Sequence, residues 1–133
     1  MRTRTKARLR ATEALYEAEQ RGVDVSEVLA RNPAGNDYGR ELALLVRDHQ
    51  NRIDEVVATY ARSWSLSRMP AVDRAIARIG VAELIMRPDV DTAIVISEAV
   101  EVAGVLSTDE SAQYLNGLLG AVAAVRDRLA VPE

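Results

Sequence analysis

The residues best suited to chemistry in this chain are five basic side chains within its first ten positions. Arg2, Arg4, Lys6, Arg8 and Arg10 alternate with apolar residues and threonines, and no acidic residue lies among them. The rest of the chain holds twelve of the 17 Lys and Arg residues against all 20 Asp and Glu residues. A basic segment on an acidic body favours contact with a polyanion, because nucleic acids bind such segments by counterion release. The alternative is a solvated tail that keeps the protein in solution.

Helical spacing would arrange this basic arm, residues 1–10, into two neighbouring ridges. Arg4 and Arg8 are four residues apart, as are Lys6 and Arg10, so in an α-helix each pair shares a face. Arginine can hydrogen-bond to phosphates and stack on the bases of single-stranded RNA. The arm is therefore the first candidate for an RNA contact.

A second binding candidate is Tyr114, which lies near the start of the last predicted helix beside Gln113 and Asn116. An aromatic ring among polar side chains can act as a stacking platform for a base. Helical tyrosines also cover hydrophobic cores, so both interpretations of this residue stay open at this point.

Asp73 is a third candidate, because it lies at the start of a predicted helix that also carries Arg74 and Arg78. An acid in a first helical turn commonly interacts with the helix dipole. A role in binding is the alternative.

Groups that could support catalysis or bind a metal are scarce. His49 is the single histidine and lies on an apolar helical stripe, while Asp109 and Glu110 occupy a first helical turn, where acids favour the dipole. The chain has no Cys, Gly-rich phosphate loop, metal-ligand spacing or nucleophile elbow. We expect no enzymatic activity, no cofactor and no metal, and a function in binding.

The composition indicates one cytoplasmic domain. A length of 133 residues fits a single core, and the absence of Cys agrees with a reducing compartment. The chain does not begin with the apolar segment of a secretory signal, and no apolar run approaches the roughly 20 residues that cross a bilayer. Leu, Ile, Val, Ala, Arg and Glu dominate and Phe is absent, which favours helix packing.

Hydrophobic periodicity predicts an all-α bundle of six helices, three before and three after a break at residues 64–70. The first helix begins in the basic arm and ends at Gly22, and Asp24 to Glu27 form a capping box for a short second helix. Asn32 and Pro33 end that helix, and a turn follows at residues 35–37. The third is a long amphipathic helix that begins near residue 42 and ends near Ser63.

The second half is predicted to contain helices from Pro70 to about residue 87, from 92 to 105, and from a capping box at Ser107 and Glu110 to about Leu129. In the last of these, Gly117 and Gly120 lie close to three alanines and form a smooth face. Such a face suits either a homodimer contact or packing within the chain.

Four segments together resemble the NusB family, in the family's order and over nearly the whole chain. They read RTKARLRA (4–11) leading to ALY (14–16), PAVDRAI (70–76) with Arg78 and EL (83–84), ISEAVEVA (96–103) and YLNGLL (114–119). The resemblance implies one all-helical RNA-binding domain of two roughly perpendicular three-helix halves, about 1–64 and 65–133. It also implies a non-catalytic protein that pairs with NusE, a small ribosomal subunit protein, and binds boxA RNA. That pair helps to assemble the antitermination complex on RNA polymerase during ribosomal RNA synthesis.

Carried over by position, the resemblance assigns residues to two surfaces. The residues expected near boxA RNA are Arg2, Arg4, Lys6, Arg8, Arg10, Glu110, Gln113 and Tyr114. The residues expected to face NusE are Tyr16 and Asp73, since an acid suits a basic partner.

The chain departs from the family pattern at four positions. Ala77 and Ala82 replace larger side chains, which implies a smaller core or a reshaped NusE surface. Gly104 stands where a Lys is common near the RNA side, and Ser97 replaces Asn or Asp. These changes bear on specificity and leave the expected fold unchanged.

Two other functions fit parts of the pattern. One is the NusB-like domain of a ribosomal RNA cytosine methyltransferase, for which this chain would be a fragment lacking the catalytic domain and its Cys. The other is a protein–protein adaptor whose basic arm binds an acidic partner without touching RNA.

Overall fold

The computed structural model describes residues 1–32, 37–62 and 64–130, and every regular element in these ranges is helical. The α-helices are α1 (Thr3–Arg21), α2 (Val25–Ala30), α3 (Asp37–Asp48), α4 (Gln50–Tyr60), α5 (Ala71–Met86), α6 (Thr92–Leu106), α7 (Asp109–Ala123) and α8 (Arg126–Leu129). A short 3₁₀ turn, Leu66–Arg68, lies between α4 and α5. The predicted all-α class is confirmed. Pro33, residues 35 and 36 of the predicted turn, and Ser63 lie outside the described residues.

Local signals in the sequence place the ends of the first two helices correctly. Gly22 follows α1 with a φ of 65°, in the left-handed region that a residue without Cβ adopts at little cost, and its N–H donates to Glu19 O. The Asp24 side chain accepts a hydrogen bond from the Ser26 N–H and caps α2.

The prediction of one long helix in the middle of the chain is wrong. The helix is divided at His49, whose φ of −122° and ψ of 23° leave the helical range, so α3 ends at Asp48 and α4 begins at Gln50. Both pieces pack on α5, but their other neighbours differ: α3 packs on α1 and α2, and α4 packs on α7. Each buries its own apolar face, so the hydrophobic spacing continues through the break and does not reveal it.

The last predicted helix is also two helices, because α7 ends at Ala123 and α8 begins at Arg126. The cap of α7 is Thr108, whose side chain accepts from the Ser111 N–H. Ser107, the predicted cap, instead donates its hydroxyl to the carboxylate of Asp73.

Helix α5 lies at the centre and packs against α1, α3, α4, α6, α7 and α8. Close approach depends on small residues: a Cβ on Gly80 would lie 2.7 Å from Leu119 Cδ1, and one on Gly39 of α3 would lie 2.7 Å from the Ala7 carbonyl oxygen of α1. Ala77 and Ala82 are both fully buried, so these departures from the family pattern reduce the core. Within the part of the chain that the structure describes, no helix has the length and apolar character to cross a membrane.

Candidate RNA and partner interface

The five basic side chains of the arm do not share one environment. Arg8 faces the protein interior, with only 3% of its side chain exposed. Its Nε and Nη2 donate to the two carboxylate oxygens of Glu83, each at 2.8 Å, and its Nη1 donates to Glu98 Oε1 at 2.8 Å. The expectation that Arg8 contacts RNA is therefore corrected, because its guanidinium is enclosed and all of its edges are used.

Two buried carboxylates hold Arg8 in place. Burial lowers the pKa of the Arg8 guanidinium, but the hydrogen bonds and charge of Glu83, together with Glu98, outweigh it and the pKa is raised. Thr5 donates its hydroxyl to Glu98 as well, at 2.7 Å. This network joins α1 to α5 and α6.

The sequence does carry a signal for this network. Glu83 and Glu98 lie on the apolar faces of their helices, and a charged residue at such a position is seldom buried without a partner of opposite charge. What cannot be predicted from spacing is which of the five basic residues supplies that partner.

The remaining basic residues of the arm are exposed: Arg2 lies just before α1, Arg4 lies one turn before Arg8, and Lys6 and Arg10 lie on the opposite side of the helix. Arg2 is 76% exposed and donates to Glu98 Oε2 at 3.2 Å, while Arg10 is 71% exposed and lies 3.8 Å from Glu13. Lys6 is exposed as well, and the Arg4 guanidinium lies over the ring of Tyr38, 4.2 Å from its centroid. Anchored by Arg8, the first turns of α1 thus present positive charge to solvent. The exposed residues Arg4, Lys6 and Arg10 are called the basic ridge below.

Tyr114 is half-buried and contacts Trp64, a residue that the sequence interpretation did not single out. The two rings are 5.2 Å apart and meet edge to face at 80°, and the Tyr114 hydroxyl donates to the Trp64 carbonyl oxygen at 3.1 Å. Burial raises the pKa of this hydroxyl above its ordinary value. The contact fixes the ring of Tyr114 against the segment that precedes α5.

Glu110 and Gln113 are exposed on the first turns of α7, on the same helix as Tyr114. The arm contacts α6 near Glu98, whereas α7 begins beyond Ser107 at the end of α6. At 1.5 Å per residue, Glu98 and Ser107 are about 14 Å apart along the helix. The two groups of candidate RNA contacts lie on different helices, α1 and α7, and α6 packs against both.

Asp73 does not face a partner. Its side chain is fully buried and accepts hydrogen bonds from Ser107 Oγ at 2.7 Å and Ser111 Oγ at 2.5 Å. It thereby ties the first turn of α5 to the connection between α6 and α7. The expectation that Asp73 faces NusE is corrected, because the carboxylate has no access to a second protein.

The surface around Tyr16 remains open to a partner. Tyr16 is 42% exposed, and the neighbouring Leu15 lines a cleft of about 180 Å³ together with Val23, Arg47 and Arg78. The charged groups there are paired within the chain. Arg78 donates to both oxygens of Asp54, at 2.9 and 3.0 Å.

Glu19 binds both arginines that follow Asp73. It accepts hydrogen bonds from Arg74 and Arg78, and the bond from Arg74 is the main reason that the pKa of Glu19 is lowered. These arginines therefore hold α1 against α5 and do not form a second basic surface.

The sequence also offered His49, Asp109 and Glu110 as groups that could support catalysis or bind a metal. His49 lies at the junction of α3 and α4, half-buried. In the described ranges, no cluster of His, Asp and Glu could hold a metal ion.

The sequence matches the model of the NusB family over residues 5–124. It is 52% identical to the transcription antitermination protein NusB of Thermobifida fusca, over 88% of this chain and 86% of that protein. It is 47% identical to the transcription antitermination protein NusB of Kineococcus radiotolerans, over 97% of this chain and 98% of that protein.

Solved structures of NusB proteins also resemble the described fold. NusB of T. maritima superposes with a TM-score of 0.83 at 28% identity, covering 93% of each chain. A chain from a crystal structure of antitermination factors NusB and NusE in complex with dsRNA gives a TM-score of 0.79 at 26% identity, covering 94% of this chain and 98% of that chain.

Proposed function

Because the chain belongs to the NusB family of transcription antitermination proteins, we propose that it binds boxA RNA together with NusE. The pair would act on nascent ribosomal RNA in the cytoplasm and help to assemble the antitermination complex on RNA polymerase. The family consists of antitermination factors and not of enzymes, in agreement with the sequence prediction. The same relatives favour this function over that of a methyltransferase domain, since the chain matches nearly their whole length.

The exposed positive charge at the start of α1 is the observation that carries the RNA proposal. Arg4, Lys6 and Arg10 are exposed there, and the buried pairs of Arg8 fix the helix that presents them. A rigid basic ridge can neutralise several phosphates with little loss of backbone entropy on binding. A similar structure contains NusB, NusE and dsRNA together, which supports RNA as the ligand of this chain.

Glu110, Gln113 and Tyr114 would form the second part of the RNA surface. Since they lie on α7 and the arm lies on α1, with α6 packed against both helices, one RNA strand would bridge both by running across α6. Tyr114, held by Trp64, would stack on a base, and the polar groups of Glu110 and Gln113 would bond to base edges.

NusE would bind at Tyr16 and the adjacent cleft lined by Leu15 and Val23. An exposed aromatic ring near a cleft that has both apolar and charged lining residues is the kind of feature that a partner side chain fills. Asp73 has no part in this surface. Tyr16→Ala is expected to weaken NusE binding at least tenfold in calorimetric titration, while Tyr16→Phe retains most of it.

The RNA role is tested by titrating a boxA oligonucleotide, with and without NusE, at two salt concentrations. Arg4→Ala, Lys6→Ala and Arg10→Ala should each weaken binding, and each lost phosphate contact should flatten the log–log salt dependence by about 0.7. Arg52→Ala is the matched control for Arg10→Ala, because Arg52 lies 3.8 Å from Glu55 with the same i,i+3 spacing as Arg10 and Glu13.

Trp64 gives an independent readout of the second surface. It is the only tryptophan in the chain, so a change in intrinsic fluorescence on adding RNA reports on the surroundings of Tyr114. If the three arm variants bind boxA RNA as tightly as the control and with the same salt dependence, the arm has no RNA role. RNA binding that requires NusE and is unchanged in all three arm variants would indicate an adaptor.

A further inference from the structure

Tyr38, in the first turn of α3, is surrounded by three arginines. The Cζ atoms of Arg4, Arg87 and Arg8 lie 4.2, 5.1 and 5.5 Å from the centroid of its ring. The ring is buried, and its hydroxyl donates to Glu83 Oε2 at 2.7 Å. One aromatic side chain therefore contacts both the buried network of Arg8 and an exposed residue of the basic ridge.

The contact with Arg4 differs from those of the other exposed basic residues of the arm. Arg2 and Arg10 have carboxylates nearby, which compete with any phosphate for the same N–H groups. Arg4 also acts on a carboxylate, since its charge helps to lower the pKa of Asp89. It places the flat face of its guanidinium on a ring, an arrangement that leaves the N–H edges available for hydrogen bonding. Stacking also restricts the rotamers of a flexible side chain before a ligand arrives, so less entropy is lost on binding.

The orientation of the ring is itself fixed from inside the protein. The hydroxyl of Tyr38 bonds to the carboxylate that also binds Arg8, so the buried ion pair and the exposed stack share one rigid frame. Arg87 is held nearby by Glu41 and Asp89 and contributes a second cation beside the same ring.

We propose that Tyr38 is a positioning residue for RNA binding, which holds the Arg4 guanidinium ready to contact a phosphate. The inference rests on the proposed function, because it assumes that Arg4 contacts RNA. Tyr38 does not touch the RNA; it acts through Arg4.

The proposal is tested with boxA RNA and the full chain, comparing Tyr38→Phe and Tyr38→Leu. Phe keeps the ring and should bind RNA within about twofold of the wild-type affinity. Leu removes the ring and should weaken binding about three- to fivefold, the size expected for one cation–π contact, with a salt slope flatter by about 0.7. A variant that only loosened the fold would not flatten the salt dependence of RNA binding in this way. It would also not explain why Tyr38→Phe binds RNA almost as well as the wild type.

A double-mutant cycle with Arg4→Ala separates the possible outcomes. If Tyr38 acts through Arg4, then Tyr38→Leu has no further effect on affinity once Arg4 is alanine. If Arg4→Ala weakens binding but Tyr38→Leu alone does not, the positioning role is overturned. If Arg4→Ala itself has no effect, the role of Arg4 in the proposed RNA surface is overturned instead.

Arg4→Lys keeps the test decisive if Tyr38→Leu does not fold. Arg4 is exposed, so this change spares the core, and Lys retains the charge but not the planar stack. The proposal expects a loss of affinity similar to that of Tyr38→Leu. Wild-type affinity in Arg4→Lys would show that the stack on Tyr38 contributes nothing.

Discussion

At the scale of single residues, side chains of one chemical type have opposite roles within one helix. Arg8 is enclosed by Glu83 and Glu98, whereas Lys6 and Arg10 lie in solvent on the other side of α1. The difference arises from their direction around the helix, since residues 5, 8 and 12 face the core together. Arg8 therefore supports the fold, and its exposed neighbours are available to bind.

Arg8→Ala is expected to lower the free energy of unfolding by about 3–5 kcal/mol, because Glu83 and Glu98 would stay buried without a compensating charge. Urea denaturation followed by circular dichroism measures this. Arg10→Ala, on the exposed face of the same helix, should change stability by no more than about 0.5 kcal/mol. An Arg8→Ala protein with unchanged stability and weakened RNA binding would show that Arg8 contacts RNA after all.

Tyr38 is expected to resist ionisation in the folded protein. Burial, and then the hydrogen bond to Glu83, raise its pKa above the ordinary 10.0. The folded state therefore holds this proton more tightly than the unfolded chain, so its stabilising contribution is complete below pH 10 and is lost at higher pH. Tyrosinate absorbance should show one of the four tyrosines ionising only with unfolding. This late ionisation should be absent in Tyr38→Phe. If it persisted in that variant, the late-ionising tyrosine would not be Tyr38.

At the scale of elements, helix ends depend on partners distant in sequence. Helix α5 ends at Met86, and its last carbonyl groups have no partner within the helix. Arg126 of α8 supplies the donors: Nε to Leu84 O at 2.7 Å and Nη2 to Arg87 O at 2.8 Å. The short helix α8 thus serves to cap α5.

Arg126→Ala should destabilise the protein by about 1–3 kcal/mol, since the α5 carbonyls would lose their donors in a partly buried place. Hydrogen exchange should rise first in the last turn of α5. Arg128→Ala, which changes an exposed residue of the same short helix, is the matched control. Equal effects of the two substitutions would argue against the cap.

At the scale of the whole molecule, charge is divided between a basic ridge and an acidic body. The neighbouring face of α6 carries no basic residue: Ser97, Glu101 and Gly104 are exposed on it, and Arg2 lies 3.8 Å from Glu101. The smooth face of α7 is partly used inside the chain: Gly117 is exposed, Gly120 and Ala121 are half-buried, and Ala123 packs against the core. Self-association through that face stays a prediction.

Gly104→Lys should strengthen boxA binding and steepen the log–log salt slope by about 0.7, because it adds a cation beside the ridge. The position has room, since a Cβ on Gly104 meets no atom within 4 Å. Gly104→Ala is the control, as it gives the same gain in helix propensity of up to about 1 kcal/mol without the charge. A gain in stability with unchanged affinity would place residue 104 away from the RNA.

The sequence by itself determined the fold class, most helix boundaries, the cap at Gly22 and the concentration of positive charge in the arm. These follow from local rules, because periodicity, capping and charge are properties of neighbouring residues. Only the tertiary structure decided that Arg8 and Asp73 are buried, that the helix breaks at His49, and that Tyr38 and Trp64 hold Arg4 and Tyr114. Those outcomes depend on contacts between residues far apart in sequence, where burial and pairing are settled by which helices pack together.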